Sequence, residues 1–225
     1  MATLTLSTIR SLIRDELNEQ SSTILTNTEL NSLINDGYKD VAYKGLSYEN
    51  KIAFSNISVS QKVIPLLFST NRILRVNYVE YRSGTTDGGW GMMTVLPQTV
   101  GHIPIDTNVP QYWFQWGDYL YVEPLPDVAT YDLYVYASCC PAAVLSNDSD
   151  TPTNLPVEFH ECVYTFALAF AAFKLKRWGD AANAYNRYII DIQRKRNEYI
   201  TKYPDGRFAH ELPDNVTMET AQNGR

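Results

Sequence analysis

Hydrophobic positions follow a helical period at both ends of the chain and a strand period in the middle. Near the start, Leu6, Ile9, Ile13 and Leu17 recur at spacings of three and four, which predicts an amphipathic helix over about residues 5–18. Thr5 is placed to cap it, with Leu4 and Ile9 as a hydrophobic staple. Next, Thr26-Asn27-Thr28-Glu29 has the capping-box arrangement and Leu25 and Leu30 hold the staple positions. Leu30, Leu33, Ile34 and Val41 form the apolar face of this second helix, and Gly45 is placed to end it. The short polar turn between the two predicts antiparallel neighbours.

The period changes near Tyr48. Stretches 51–59, 62–68 and 73–82 have strand composition, and Gly117-Asp118 separates "QYWFQW" from "YLYVE" as a two-residue hairpin turn. Tyr131, Leu133, Val135 and Ala137 then alternate with Asp132, Tyr134 and Tyr136. A polar linker ends in Pro156, suited to a first helical turn. One helix is predicted over about residues 157–178, broken at Gly179-Asp180, and a last one runs to about Tyr203, forming an αα-hairpin. The expected fold class is α+β: an antiparallel helical bundle of two N-terminal and two C-terminal helices, an inserted antiparallel β barrel or sandwich, and an extended C-terminal tail. The expected divisions are 1–48 and 146–203 for the two halves of the bundle, 49–145 for the β unit, and 204–225 for a tail that is mobile unless docked.

The penultimate helix departs from simple amphipathicity. Phe159, Val163, Phe166, Phe170 and Phe173 form an aromatic stripe, while Cys162, Thr165, Ala169 and Ala172 form a stripe of small residues. A helix apolar nearly all round is buried nearly all round. The small stripe suits a close helix approach and the aromatic stripe a thick neighbour. Either the other helices of the chain or a second subunit could supply that cover. The apolar run from Val163 to Phe173 would span about 16 Å as a helix, against about 30 Å for a bilayer core. A membrane span is therefore not expected.

Composition narrows the function. The net charge of −6 argues against the basic footprint of a duplex-binding protein. Sixteen tyrosines and four tryptophans suggest half-buried sheet or interface, where a ring has an apolar body and a wet tip. Cys139, Cys140 and Cys162 are too few for a disulfide framework and fit a reducing compartment. The first residues lack an apolar core segment, so no signal peptide is expected.

Candidate chemistry is sparse. His160, Glu161 and Cys162 are consecutive, so on a helix they point about 100° apart and cannot converge. His102, His160 and His210 lie in three separate segments. Adjacent Cys139 and Cys140 cannot complete a tetrahedral metal site alone. Asp148 and Asp150 begin like a calcium loop, but Thr153 stands where the sharp turn needs glycine and Phe159 where the closing acid belongs. "GGWGMMT" begins like a dinucleotide loop, yet its third glycine position is Thr94. A protein without catalytic residues, metal or cofactor is expected.

Three stretches carry a family likeness: "LSTIRSLIRDELN" with "TNTELNSLINDGYKDVA"; "VPQYWFQWGDYLYVEPLPDVATYDLYVYA"; and "LPVEFHECVYTFALAFAAFKLKRWGDAANAYNRYIIDIQRKRNEY". In this order, over about residues 4–203, the chain resembles the head-to-tail adaptor (connector) proteins of tailed bacteriophages, including the tail tubular protein A type of short-tailed phages. In that family L-P-x-x-[FY]-H opens the penultimate helix. The resemblance implies a structural virion protein, assembled in the bacterial host cytoplasm, that forms a ring, typically of twelve copies. Its partners would be itself, the portal protein above and tail or nozzle proteins below, with genomic DNA passing through without sequence-specific binding. On this likeness Tyr203, Phe208, Leu212 and Met218 of the tail are expected to order against the portal. Phe159, Val163, Ala169, Phe166, Phe170, Ala172 and Phe173 would pack the bundle or its subunit contacts. The loop Gly84 to Val109 matches nothing in the family. A soluble carbohydrate- or peptide-binding module using the Tyr/Trp-rich sheet is the alternative.

Overall fold

The computed structural model describes residues 4–19, 24–58, 63–66, 71–83, 90–95, 107–127, 131–142 and 144–202. The tail with Tyr203, Phe208, Leu212 and Met218 lies outside them, as do His102, His210 and most of the loop from 84 to 109.

α1 (Leu6–Glu16) starts as expected: the Thr5 hydroxyl accepts from the Thr8 amide at 3.2 Å. α2 (Asn27–Gly45) carries the complete capping box, with the Thr26 hydroxyl accepting from the Glu29 amide and the Glu29 carboxylate accepting from the Thr26 amide at 2.9 Å. Both staples have a physical basis: Leu25, Leu30 and Ile9 are fully buried and Leu4 packs against the same core. α2 does end at Gly45, but for another reason than expected. The left-handed residue is Leu46, at φ 46°. Gly45 is glycine because a Cβ there would sit 2.9 Å from Phe159 Cε1.

Ten strands follow among the described residues, paired into two four-stranded sheets and a small third one. β1 (Glu49–Ile57), β10 (Tyr131–Pro141), β3 (Asn71–Ser83) and β4 (Trp90–Met92) form the first in that order, antiparallel throughout. β2 (Val63–Pro65), β8 (Tyr119–Glu123), β7 (Tyr112–Trp116) and β5 (Thr94–Val95) form the second, in which only the β5–β7 pair is parallel. β6 (Thr107–Asn108) and β9 (Leu125–Pro126) form a short parallel pair. The β7–β8 hairpin turns at Gly117, whose φ of 58° is readily open to glycine. The two large sheets are separate, so the β unit is no closed barrel; they share one core instead. Val79, Leu133, Val135 and Ala137 come from the first sheet and Trp113, Leu120 and Val122 from the second. The alternation read from the sequence of β10 holds, since Tyr131, Leu133, Val135 and Ala137 are all buried.

The C-terminal helices are divided differently from the expectation. A short 3₁₀ turn, Val157–Phe159, precedes α3 (His160–Lys174), and α4 runs over Trp178–Lys202. The break therefore falls at residues 175–177, and Gly179-Asp180 lies in the first turn of α4. The cause is local hydrogen bonding. The Arg177 amide reaches back to the Ala172 carbonyl and the Lys176 amide to that of Phe173, both at 3.0 Å, closing a Schellman motif with Lys176 left-handed at φ 59°.

The four α-helices of the described residues all contribute to a second core. α2 approaches α3 closely at Gly37, where a Cβ would stand 2.9 Å from Phe166 Cδ1 and 3.1 Å from the Val163 carbonyl oxygen. The aromatic stripe thus meets glycines on α2 and aromatic rings on α4, where Phe166 lies edge-on to Tyr188 at 5.3 Å. Tyr188 of α4 is fully buried; its hydroxyl donates to Asp40 of α2, and Lys44 forms an ion pair with Asp40 at 2.9 Å. Burial, then the Asp40 contact, raise the Tyr188 pKa far above the ordinary phenol value. Tyr48 joins the two cores, packing against both while its carbonyl accepts from the Cys139 amide at 2.8 Å.

Candidate functional site

The residues that invite a catalytic reading diverge. His160 opens α3 and turns into the preceding linker. Its Nε2 lies 3.1 Å from the Pro152 carbonyl oxygen and 3.3 Å from that of Leu155, and two acceptors require the proton on Nε2. Burial lowers its pKa, and Nδ1 is buried without a hydrogen-bond partner. Glu161 points the other way, to Arg187 at 2.8 Å and Lys195 at 3.5 Å on α4. Burial pushes its carboxyl up, but the two cations together outweigh that and hold it below the usual range. Cys162 is fully buried, with its thiol pushed up by burial to about 11. It has none of the lowered pKa that marks a nucleophilic thiol. Cys139 is likewise pushed up by burial to about 11.

The acids of the linker are engaged with protein. Asp150 accepts the Ser146 and Asn147 amides at 2.8 Å each, which lowers its pKa, and Asp148 pairs with Arg10. The carbonyls of Asp148 and Asp150 accept the Ser7 and Leu6 amides, two of the orphan donors of α1. Among the described residues no group of three or more histidine, cysteine or acidic side chains is placed to hold a metal. β4 and β5 occupy the glycine-rich stretch read as a weak dinucleotide motif.

The tyrosine-rich outer face of the first sheet offers no open ring platform at its centre. Tyr78 and Tyr136 stack on each other at 4.0 Å between centroids, and Lys51 sits 4.2 Å over Tyr134 and 5.2 Å over Tyr136. The Tyr136 hydroxyl donates to Glu80 at 3.0 Å. Ring faces already covered in this way are not available to stack on a sugar.

Uncovered aromatic rings lie on the β7–β8 hairpin, where Trp116 and Tyr119 are exposed, and on the helices. Along the stripe of α3, Phe159 and Val163 are buried and Phe166 nearly so, but Phe170 is 40% exposed and Phe173 55%. Among the described residues the outer end of the stripe is left open, although α2 runs on to the end of α3, where Glu29 pairs with Lys174. Ala169 and Ala172 remain buried. Beside Phe170 and Phe173, the start of α4 presents Trp178, Ala181, Ala182 and Tyr185, and the two helices enclose a groove of about 350 Å³. Trp178 packs edge-on to Phe173 at 4.8 Å and Tyr185 edge-on to Phe170 at 6.2 Å. Trp178 stays 59% exposed. The α4 wall escaped the sequence reading, because the helix was started at Ala181 and Trp178 was left at the end of the one before. Its signal is Trp178, Ala181, Ala182 and Tyr185 at helical spacing.

Rigid aromatic rings held by packing below and open to solvent above are what protein–protein contacts use as anchors. An α+β subunit with an open aromatic groove at its last helical elbow has the build of an assembly protein. Residues 4–207 match the family model described as SU10 adaptor protein, and the chain belongs to that family of phage head-to-tail adaptors. It is accordingly a structural protein of the phage virion. None of the curated proteins matches it. Among the described residues no helix is long and apolar enough to cross a membrane.

Proposed function

We propose that this chain is a ring-forming subunit that joins the portal to the tail and leaves a channel for the genome. Residues 1–48 and 146–203 are the ring body, the β unit 49–145 faces the tail side or periphery, and the tail 204–225 docks on the portal through Tyr203, Phe208, Leu212 and Met218. The observation that carries this reading, besides family membership, is the aromatic groove of α3 and α4. A head-to-tail ring needs one surface of each subunit to receive a different surface of the next, and an anchored aromatic groove suits the receiving side. The acidic balance of −6 suits a ring that passes DNA without gripping it.

The test is assembly on the portal of the same phage, followed by mass measurement and electron microscopy. The parent chain forms a closed ring on the portal. Phe173→Asp with Trp178→Asp, at positions 55% and 59% exposed, folds but forms no ring. Truncation after Lys202 leaves a folded subunit that does not dock. Rings of unchanged mass from the double variant, or portal binding undiminished by truncation, refute the corresponding half of the reading.

A further inference from the structure

Farther along α4 lies a second hollow, of about 550 Å³, whose wall includes Tyr43, Leu74 and Ile189 together with Lys44, Arg75 and Arg196, and no carboxylate. At 100° per residue, Trp178, Ala182, Tyr185, Ile189, Gln193 and Arg196 fall on one flank of the helix. The groove and the hollow are therefore stations on a single strip about 27 Å long. Its chemistry is aromatic at one end and apolar with cations at the other.

The chain continues beyond Lys202, and that continuation has the complementary chemistry. Residues 203–225 hold Asp205, Glu211, Asp214 and Glu219 against only Arg207 and Arg225, with Phe208, Leu212 and Met218 spaced among them. We propose that in the unassembled subunit this C-terminal segment folds back along the same flank of its own α4. Phe208 then fills the basic hollow, and Met218 fills the aromatic groove.

The reach agrees. Phe208 is six residues past Lys202, a span of up to about 20 Å. The hollow at residues 193–196 lies only about 9–13 Å back along the helix. The centre of the groove, at Ala181 and Ala182, is about 30 Å back. With Phe208 in the hollow, Leu212 spans only about 14 Å of the remaining ~20 Å and lies between the two stations, while Met218, ten residues past Phe208, spans up to about 33 Å and reaches the groove with slack. The acids pass Arg75 and Arg196, beside Lys44 that Asp40 already pairs, and then the elbow cations Lys176 and Arg177. The acid of that elbow, Asp180, lines the hollow on the opposite flank.

The docking has a consequence that rests on the adaptor reading. A tail drawn away by the portal uncovers the groove, so subunits close a ring only where a portal is present.

The experiment uses the full-length chain without portal, carrying Ala182→Cys on the groove wall and Met218→Cys. Mild oxidation closes a disulfide within one chain, seen as a faster-migrating monomer on a non-reducing gel and mapped by mass spectrometry. The control pair, Asn183→Cys with Met218→Cys, places the thiol on the opposite flank and closes ~10-fold more slowly, because the effective concentration there is lower. The parent chain, with Cys139 and Cys162 buried and Cys140 half-buried, gives the background. Equal rates for the two pairs, or no closure, overturn the proposal. A disulfide between chains overturns it in favour of a second copy in the groove. Failure of ring assembly on the portal would leave the cross-link unaffected, so the two readings fall separately.

Discussion

Replacing Gly37 by alanine sets two effects of known sign against each other. In a helix interior, glycine to alanine is worth about 1 kcal/mol of stabilisation from backbone entropy and propensity. At Gly37 the added Cβ would stand 2.9 Å from Phe166 Cδ1 and 3.1 Å from the Val163 carbonyl oxygen. The carbonyl belongs to the backbone of α3. Phe166 is 8% exposed and held between Phe170 at 4.6 Å and Tyr188 at 5.3 Å. With little room to retreat, overpacking costs about 1–3 kcal/mol. The clash outweighs the propensity gain, and the net expectation is a loss of about 1 kcal/mol, or about 2–4 °C in Tm for a chain of this size. Gly179, in the first turn of α4 with nothing within 4 Å of an added Cβ, supplies the control. There the same substitution stabilises by about 0.5 kcal/mol. Urea and thermal unfolding followed by circular dichroism measure both. A Gly37→Ala chain as stable as the parent, with Gly179→Ala shifting equally or less, would refute the close approach of α2 and α3.

Three further outcomes are expected. Lys176→Gly relieves a left-handed residue at φ 59° and raises stability by about 1 kcal/mol in the same unfolding experiments. Thr26→Ala removes the hydroxyl that accepts from the Glu29 amide and lowers stability by about 1 kcal/mol, with a matching fall in Tm. The third concerns pH. Burial lowers the His160 pKa from 6.5, so the unfolded chain binds the proton first as pH falls. The stability associated with neutral His160 is complete above pH 6.5 and is lost progressively from there down through the folded pKa. His160→Gln keeps an N–H donor for Pro152 and Leu155 and removes that slope in urea titrations between pH 7 and 5 (about that range, set by the ordinary histidine value). An unchanged slope in the variant would assign the acid sensitivity elsewhere.

The sequence by itself determined the helices and the longer strands, the start of each N-terminal helix and the inward face of β10, but not the short strands β4, β5, β6 and β9. Those depend on neighbours a few residues away: a hydroxyl three residues before an amide, or side chains alternating across a strand. It also showed that His160, Glu161 and Cys162 cannot converge, which follows from helix geometry alone. Tertiary structure decided the rest. Whether the β unit closes into a barrel depends on which strand edges meet, and strands distant in sequence settle that: β10 lies between β1 and β3, leaving two sheets. The role of Gly45 depends on Phe159, more than a hundred residues away, and not on a turn. The break between the last helices moved to residues 175–177 because a Schellman pair of hydrogen bonds held Lys176 in a conformation its residue type does not favour. Above all, the stripe of Phe159, Phe166, Phe170 and Phe173 is uniform in sequence but divided in space. Phe159 and Phe166 are packed over by the neighbouring helices, whereas Phe170 and Phe173, joined by Trp178 and Tyr185, line the groove, although α2 still reaches Lys174 through Glu29. A periodic pattern fixes which side chains share a helix face, whereas burial depends on which neighbouring side chains pack over each of them.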